Sequence, residues 1–145
     1  VRFAGDIHFS KKVECDVENV RVPSMILQPV VENAVNHGIR NIDWEGHIDL
    51  SVERWNDHIE ISVRDNGLGM TGEQIQRVLS KKVHSSSGEG DSTGIGMNNV
   101  ISRLELYYER DGLMEIYSEG EGMGTEVVIN IPLERSEKNV QNPDC

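Results

Sequence analysis

Three short stretches of this sequence carry side chains with the right chemistry and spacing for a ligand site. The first is Asp65-Asn66-Gly67-Leu68-Gly69, directly after the alternating apolar residues Ile59, Ile61 and Val63. Asp65 therefore stands where a predicted strand leaves its sheet. A carboxylate there can accept a hydrogen bond from an exocyclic amine. Adenine carries such an amine at its six position, whereas guanine presents a carbonyl, an acceptor that would repel Asp65. Gly67 and Gly69 permit a close backbone approach that a side chain would block. Asp-Asn-Gly is also a favoured turn sequence, so a plain turn is the competing reading.

The second stretch, Thr93-Gly94-Ile95-Gly96, is predicted just before a helix running from about Met97 to Glu109. Glycines at a helix start let phosphates reach free N–H groups and the positive end of the dipole. A dinucleotide fingerprint would need a strand before it and a third glycine where Asn99 stands, and it has neither. A flexible lead-in to the helix is the alternative. The third stretch is a helix in which Met25, Ile26, Val30, Val31, Ala34 and Val35 recur at helical spacing, with Gln28, Glu32, Asn33, Asn36 and His37 on the polar side. Asn33 and His37 lie one turn apart. The Asn33 amide oxygen is a suitable hard ligand for Mg²⁺, and His37 could contact a phosphate. The competing reading is a solvated helix face. Lys81-Lys82 is a small basic spot that reads first as a solvated pair. The five histidines form no nucleophilic pattern, and Cys15 and Cys145 fit neither a disulfide framework nor a zinc spacing.

Composition narrows the classes further. A formal net charge of −11 argues against a nucleic-acid surface. It leaves a nucleotide site open, because backbone N–H groups and a metal can hold phosphates locally. No apolar run reaches the roughly 18 residues of a membrane span, and the start at Val1 reads as a cut inside a longer protein. Together with the cysteine usage this predicts a cytoplasmic setting.

The elements that must position these residues follow from periodicity. Residues 1–19 alternate weakly, at Val13, Cys15 and Val17, and read as an entry strand. Val22-Pro23-Ser24 is a boundary, with Ser24 as the expected helix cap and Gly38 as the expected left-handed end of that helix. Pro29 is tolerable only near the first turn. A hairpin follows, with Ile48, Leu50 and Val52 turning at Trp55–His58 into Ile59, Ile61 and Val63. Between the two glycine stretches lies a long loop whose centre, His84 to Thr93, is Ser, Gly and acid. Its first half, Glu73 to Val83, has helical spacing at Ile75, Val78, Leu79 and Val83. A second hairpin, Leu113–Ser118 and Thr125–Pro132, closes the fold through Gly120-Glu121-Gly122-Met123-Gly124. Residues 134–145 form a polar tail. The expected fold is α+β: a two-layer sandwich with a mixed, mostly antiparallel sheet and helices on one face.

In this order and spacing the motifs resemble a known family. Gln28-Pro29-Val30-Val31-Glu32-Asn33-Ala34-Val35-Asn36-His37-Gly38 resembles the asparagine box of the YesM/LytS-like sensor histidine kinases. Asp65-Asn66-Gly67-Leu68-Gly69-Met70 is similar to their first glycine box. Thr93-Gly94-Ile95-Gly96-Met97-Asn98-Asn99-Val100, with Arg103 and Leu104, is similar to the second, and Gly122-Met123-Gly124-Thr125 to the last glycine-threonine motif. Arg2-Phe3 and Gly5-Asp6 resemble the stretch after the family's dimerisation helices. The resemblance covers residues 1–133 and implies one catalytic domain with a Bergerat-type ATP-binding fold, shared with gyrase, the heat-shock chaperone ATPases and mismatch-repair proteins.

The resemblance further implies that ATP and Mg²⁺ are bound, with Asn33 on the metal and Asp65 on the adenine amine. Gly67, Gly69 and Met70 then belong to the base pocket, with Thr125 supporting it through a water network at Asp65. Thr93, Gly94, Ile95, Gly96 and Met97 open the phosphate site, Asn36, His37 and Gly38 lie beside the phosphates, and residues 71–92 form a lid. One departure matters: hydrolysing relatives place a glutamate one turn before the metal asparagine, and here that position is Pro29. Glu32 is turned about 100° around the helix from Asn33. The expected activity is therefore phosphoryl transfer from ATP to a histidine on an upstream dimerisation helix, with Asn33 and His37 at the catalytic centre. The implied parent is a homodimer, anchored in the cell membrane with this domain on the cytoplasmic side, that signals to a response regulator. The alternatives are an ATP hydrolase of the same superfamily and a nucleotide-sensing module.

Overall fold

The computed structural model describes residues 7–13, 26–40, 42–80 and 92–133, with residues 92–95 described by their backbone alone. The readings placed on Arg2 to Asp6, Cys15, Val17, Val22 to Met25, Lys81 to Asp91, the 134–145 tail and Cys145 lie outside the described residues.

The chain order is β1 (Ile7–Val13), α1 (Leu27–Asn33) continuing into a π-helical turn (Ala34–Ile39), β2 (Gly46–Arg54), β3 (His58–Asp65), α2 (Gly72–Leu79), α3 (Ser92–Tyr108), β4 (Met114–Tyr117) and β5 (Thr125–Pro132). The five strands form one sheet in the order β1-β2-β3-β5-β4. β1 runs parallel to β2, and the other neighbours are antiparallel. This is the expected α+β sandwich with a mixed, mostly antiparallel sheet.

Period-two alternation turns Ile48 and Leu50, Ile59, Ile61 and Val63, and Val127, Ile129 and Ile131 onto one buried face. Ile26, Val30 and Ala34 of the first helix and Met97, Val100, Ile101 and Leu104 of α3 cover that face and complete a single core. All seven residues of β1 are exposed, as befits an edge strand.

Three boundaries differ from the sequence expectations. The first helix starts at Leu27 with Ile26 at its N-cap and no side-chain cap, so Ser24 is not its cap. Pro29 is then the third helical residue, where its missing N–H costs no helical hydrogen bond. Gly38 does not end the helix in a left-handed turn. It lies inside the π-helical turn and is absent from the glycines with positive φ. Third, α3 begins at Ser92, so Thr93, Gly94, Ile95 and Gly96 form its first turns and do not precede it. Glycine is a poor interior helix residue, but at a helix start the N–H groups lack intrahelical partners in any case.

Candidate functional site

Asp65 is the last residue of β3, in register with Ile48 of β2 and Thr125 of β5. Its side chain is buried between the two neighbouring strands. The Gly67 N–H donates to Oδ1 at 2.8 Å, and the Thr125 N–H also donates to the carboxylate. Burial pushes the carboxyl up from 3.8 to about 6, against the pull of those two N–H groups. Thr125 thus supports Asp65 directly through its backbone.

The backbone around Asp65 is drawn in until side chains no longer fit. A methyl on Gly38 would lie 2.7–2.9 Å from the Asp65 carboxylate, and one on Gly67 would lie 1.9 Å from the Gly38 carbonyl oxygen. The π-helical turn makes this contact possible, since the extra residue in the turn carries Gly38 up to the strand end. Leu68 N–H then bonds the Gly38 carbonyl at 2.8 Å. Gly69 has φ +77° and faces the Gly120 carbonyl, which a methyl would meet at 2.1 Å.

Residues that sequence reasoning passed over hold this junction in place. The Asn66 amide accepts from His47 N–H at 2.7 Å and donates to the Glu45 carbonyl at 2.8 Å. Trp44 Nε1 donates to the Asn66 carbonyl at 2.8 Å. Ser118 Oγ accepts from Met70 N–H at 3.0 Å and donates to the Gly124 carbonyl at 2.6 Å, tying the last glycine motif to the first. The only available signal for Asn66 was its place inside Asp-Asn-Gly, which reads equally well as a turn. Ser118 had no signal, because its link to Met70 joins the β4–β5 connection to the distant segment after β3.

Two adjoining cavities share Asn33 and His37 on their walls. One of about 250 Å³ is lined by these residues with Gly38, Leu68, Gly69, Met70, Gln74 and Val78. The other, about 130 Å³, is lined by them with Pro29, Glu32, Asn36, Gly96 and Met97. The π-helical turn, the Leu68–Met70 end of the first glycine stretch, α2 and the start of α3 thus meet around one cleft, and Asp65 lies behind its wall, against Gly38. Val78 and Gln74 bring α2 to its wall, and Thr71 starts α2 with a reciprocal capping box. Thr71 Oγ1 accepts from Gln74 N–H at 3.2 Å, and Gln74 Oε1 accepts from Thr71 N–H at 2.8 Å. The side chains of Thr93 and Ile95 lie outside the description.

Asn33 departs from the solvated face expected of it. It is only 8% exposed, and its Oδ1 is buried with no hydrogen-bond partner. Such an atom costs about 1–3 kcal/mol unless a ligand takes its lone pairs. A neutral, hard oxygen on the wall between two cavities suits Mg²⁺, which uses few protein ligands and completes its shell with phosphates and water.

The family model for histidine kinase-, DNA gyrase B- and HSP90-like ATPases matches residues 22–135. The chain belongs to this ATPase family. Among its relatives, the sensor histidine kinase YpdA of Escherichia coli K12 is 33% identical over 125 residues, covering 81% of this chain and 19% of that protein. The sensor histidine kinase/phosphatase LytS of Staphylococcus aureus MRSA252 is 30% identical over 138 residues, covering 94% and 23% respectively. The chain therefore spans about a fifth to a quarter of the length of these relatives. The fold is shared with the catalytic domain of histidine kinase ThkA, at a TM-score of 0.61 and 18% identity over 90% of this chain and 81% of that one. It is also shared with the mycobacterial sensor histidine kinase MprB, at a TM-score of 0.60 and 20% identity over 87% and 81%. ATP is accordingly the substrate of this ATPase-family domain.

Proposed function

We propose that the cleft binds ATP with Mg²⁺, and that the longer protein uses it to move the γ-phosphoryl group onto a histidine of a dimerisation helix outside this chain. The observation that carries this reading is the pairing of a buried, charge-disfavoured carboxyl at Asp65, packed against Gly38 of the cleft wall, with a buried, partnerless oxygen at Asn33 on the same wall. The relatives named as sensor histidine kinases support the kinase class.

In this reading Asp65 accepts the adenine amine, held in place by Gly67 and Thr125 N–H groups. Gly67, Gly69 and Met70 shape the base pocket under α2. Asn33 holds the metal, Asn36, His37 and Gly38 stand beside the phosphates, and residues 93–97 at the α3 start receive the phosphate end. When bound, Mg²⁺ neutralises charge on the β- and γ-phosphates. The protein's own residues position ATP and exclude water, while the acceptor imidazole forms the P–N bond and ADP leaves with the bridging oxygen. Pro29 lines the smaller cavity at the position, one turn before Asn33, where the resemblance puts a glutamate in hydrolysing relatives, and it offers no acid–base group there. Residues 1–133 make up the domain, 71–92 its lid, and 134–145 a tail. Among the described residues no helix is long and apolar enough to cross a membrane; a membrane-anchored homodimeric parent and a response regulator downstream belong to this proposal.

Calorimetric titration with ATP and GTP, each with Mg²⁺ and with chelator, tests the site. ATP binding strengthened by Mg²⁺ and little GTP binding are expected; equal binding of both purines removes Asp65 from the adenine role. An acid-labile phosphohistidine assay tests the reaction. The full-length parent becomes labelled from ATP and this chain alone does not; a stoichiometric phosphohistidine on this chain overturns the reading.

A further inference from the structure

Glu32 is turned about 100° around the helix from Asn33, yet it lines the same cavity of about 130 Å³ as Asn33, Asn36, His37 and Gly96. It is the one carboxylate on that wall. Its orientation is not left to chance, because Gln28 Nε2, one turn earlier on the same helix, donates to Glu32 Oε1 at 2.9 Å. Pro29, between them on the cavity wall, has neither donor nor acceptor on its side chain.

The adjacency of Glu32 and Asn33 limits what the carboxylate can do. Consecutive helical residues diverge by about 100°, so both cannot ligate one ion directly through short side chains. A carboxylate one water away from the ion has no such restriction. Asn33 offers Mg²⁺ a neutral oxygen, which supplies coordination without charge. Mg²⁺ keeps several of its waters, and those waters need acceptors.

We propose that Glu32 is an outer-sphere partner of the nucleotide-bound Mg²⁺, accepting hydrogen bonds from metal-bound waters and held in position by Gln28. This rests on the ATP–Mg²⁺ reading of the cleft. It makes Glu32 a positioning residue that acts through the metal's water shell, and Gln28 a residue that acts through Glu32.

The test is the ratio of ATP affinities measured with Mg²⁺ and with chelator in wild type, Glu32→Gln and Gln28→Ala. Outer-sphere partners alter metal affinity by roughly 10–100-fold, so Glu32→Gln narrows the ratio about tenfold. Affinity in chelator stays the same or tightens, since a negative charge beside the phosphates is gone. Gln28→Ala narrows the ratio in the same direction by less. Both sites are exposed helix positions, and a thermal melt confirms that each variant is folded. An unchanged ratio in Glu32→Gln overturns the inference and leaves the ATP site standing. Equal weakening with and without Mg²⁺ also overturns it, because the carboxylate then acts on the fold or the nucleotide and not on the metal. A wild type that binds no ATP in either condition defeats the underlying site reading itself.

Discussion

Replacing Asp65 with Asn should make the domain more stable and a worse nucleotide binder at once. The Asp65 carboxyl rises from 3.8 to about 6 on folding. Because the folded value is the higher one, the group favours folding while protonated, fully below about pH 4, and that contribution disappears as pH rises through 6. Above pH 6 the ionised side chain costs the fold on the order of 3 kcal/mol relative to a neutral one. Asn removes the charge but accepts the Gly67 and Thr125 N–H groups more weakly, which leaves a net gain of roughly 1–2 kcal/mol. For a domain of this size that corresponds to a rise in Tm of roughly 3–6 °C at pH 7. Nucleotide affinity moves the other way. Loss of a charged hydrogen bond to the adenine amine costs roughly 1.5–3 kcal/mol, or about 10- to 100-fold in Kd. Melts from pH 4 to 8 and calorimetry with ATP read both effects. The Tm advantage of the variant should shrink as pH falls and vanish near pH 4. A variant that is less stable than wild type at pH 7, by a margin independent of pH, would show that the two N–H groups more than compensate the buried charge, and the reasoning fails.

Asn33→Ala should lose the Mg²⁺-dependent part of ATP affinity while stability stays within about 1 kcal/mol of wild type, since its buried Oδ1 has no partner to lose; chelator titrations and melts check both. Gly38→Ala drives a methyl to within 2.7 Å of Asp65, and should destabilise the fold by about 1–3 kcal/mol and weaken ATP binding, measured by denaturant unfolding and calorimetry. Thr71→Ala removes the α2 cap and costs about 1 kcal/mol, seen as faster amide exchange across residues 72–79. Carbon-detected NMR of the Asp65 carboxyl should show its titration moving acidward when nucleotide is added, because an amine donor favours the charged form; an unmoved titration separates Asp65 from the base.

The sheet was legible because its signals are local. Alternation at Ile59, Ile61 and Val63 and from Thr125 to Pro132 needs no knowledge of neighbours, and β5 ends where the pattern ends. β4 is shorter by a residue at each end, Met114–Tyr117. The first helix was legible in its apolar stripe but not in its pitch. Nothing in Ala34-Val35-Asn36-His37-Gly38 announces a π-helical turn, because that turn is fixed by the contact of Gly38 with Asp65 and Leu68 across the fold. Polarity misled at two positions for the same reason. Asn33 and Glu32 both read as solvated, yet one is buried on the cleft wall and the other is held on it by Gln28. A polar residue that serves a ligand has the periodicity of a surface residue and the burial of a core residue. The α2 helix was half legible: Ile75, Val78 and Leu79 gave its apolar side, while the Thr71–Gln74 capping box stood in the sequence as Thr-x-x-Gln and would have placed its start one residue earlier, at Gly72.

Two costly features of this domain lie close together. Asp65 is an anion in a site that disfavours charge, and the Asn33 oxygen is buried without a partner. Gly38, on the π-helical turn that follows Asn33, packs directly on the Asp65 carboxylate, so the two features are joined through one short segment. On the proposed reading a ligand offsets both: an amine donor favours the charged Asp65, and a cation takes the Asn33 lone pairs. If that reading holds, nucleotide binding relieves two costs that folding leaves in place. Neither group belongs to the buried apolar cluster. Their retention at one cleft is what a binding function explains and a purely structural role does not.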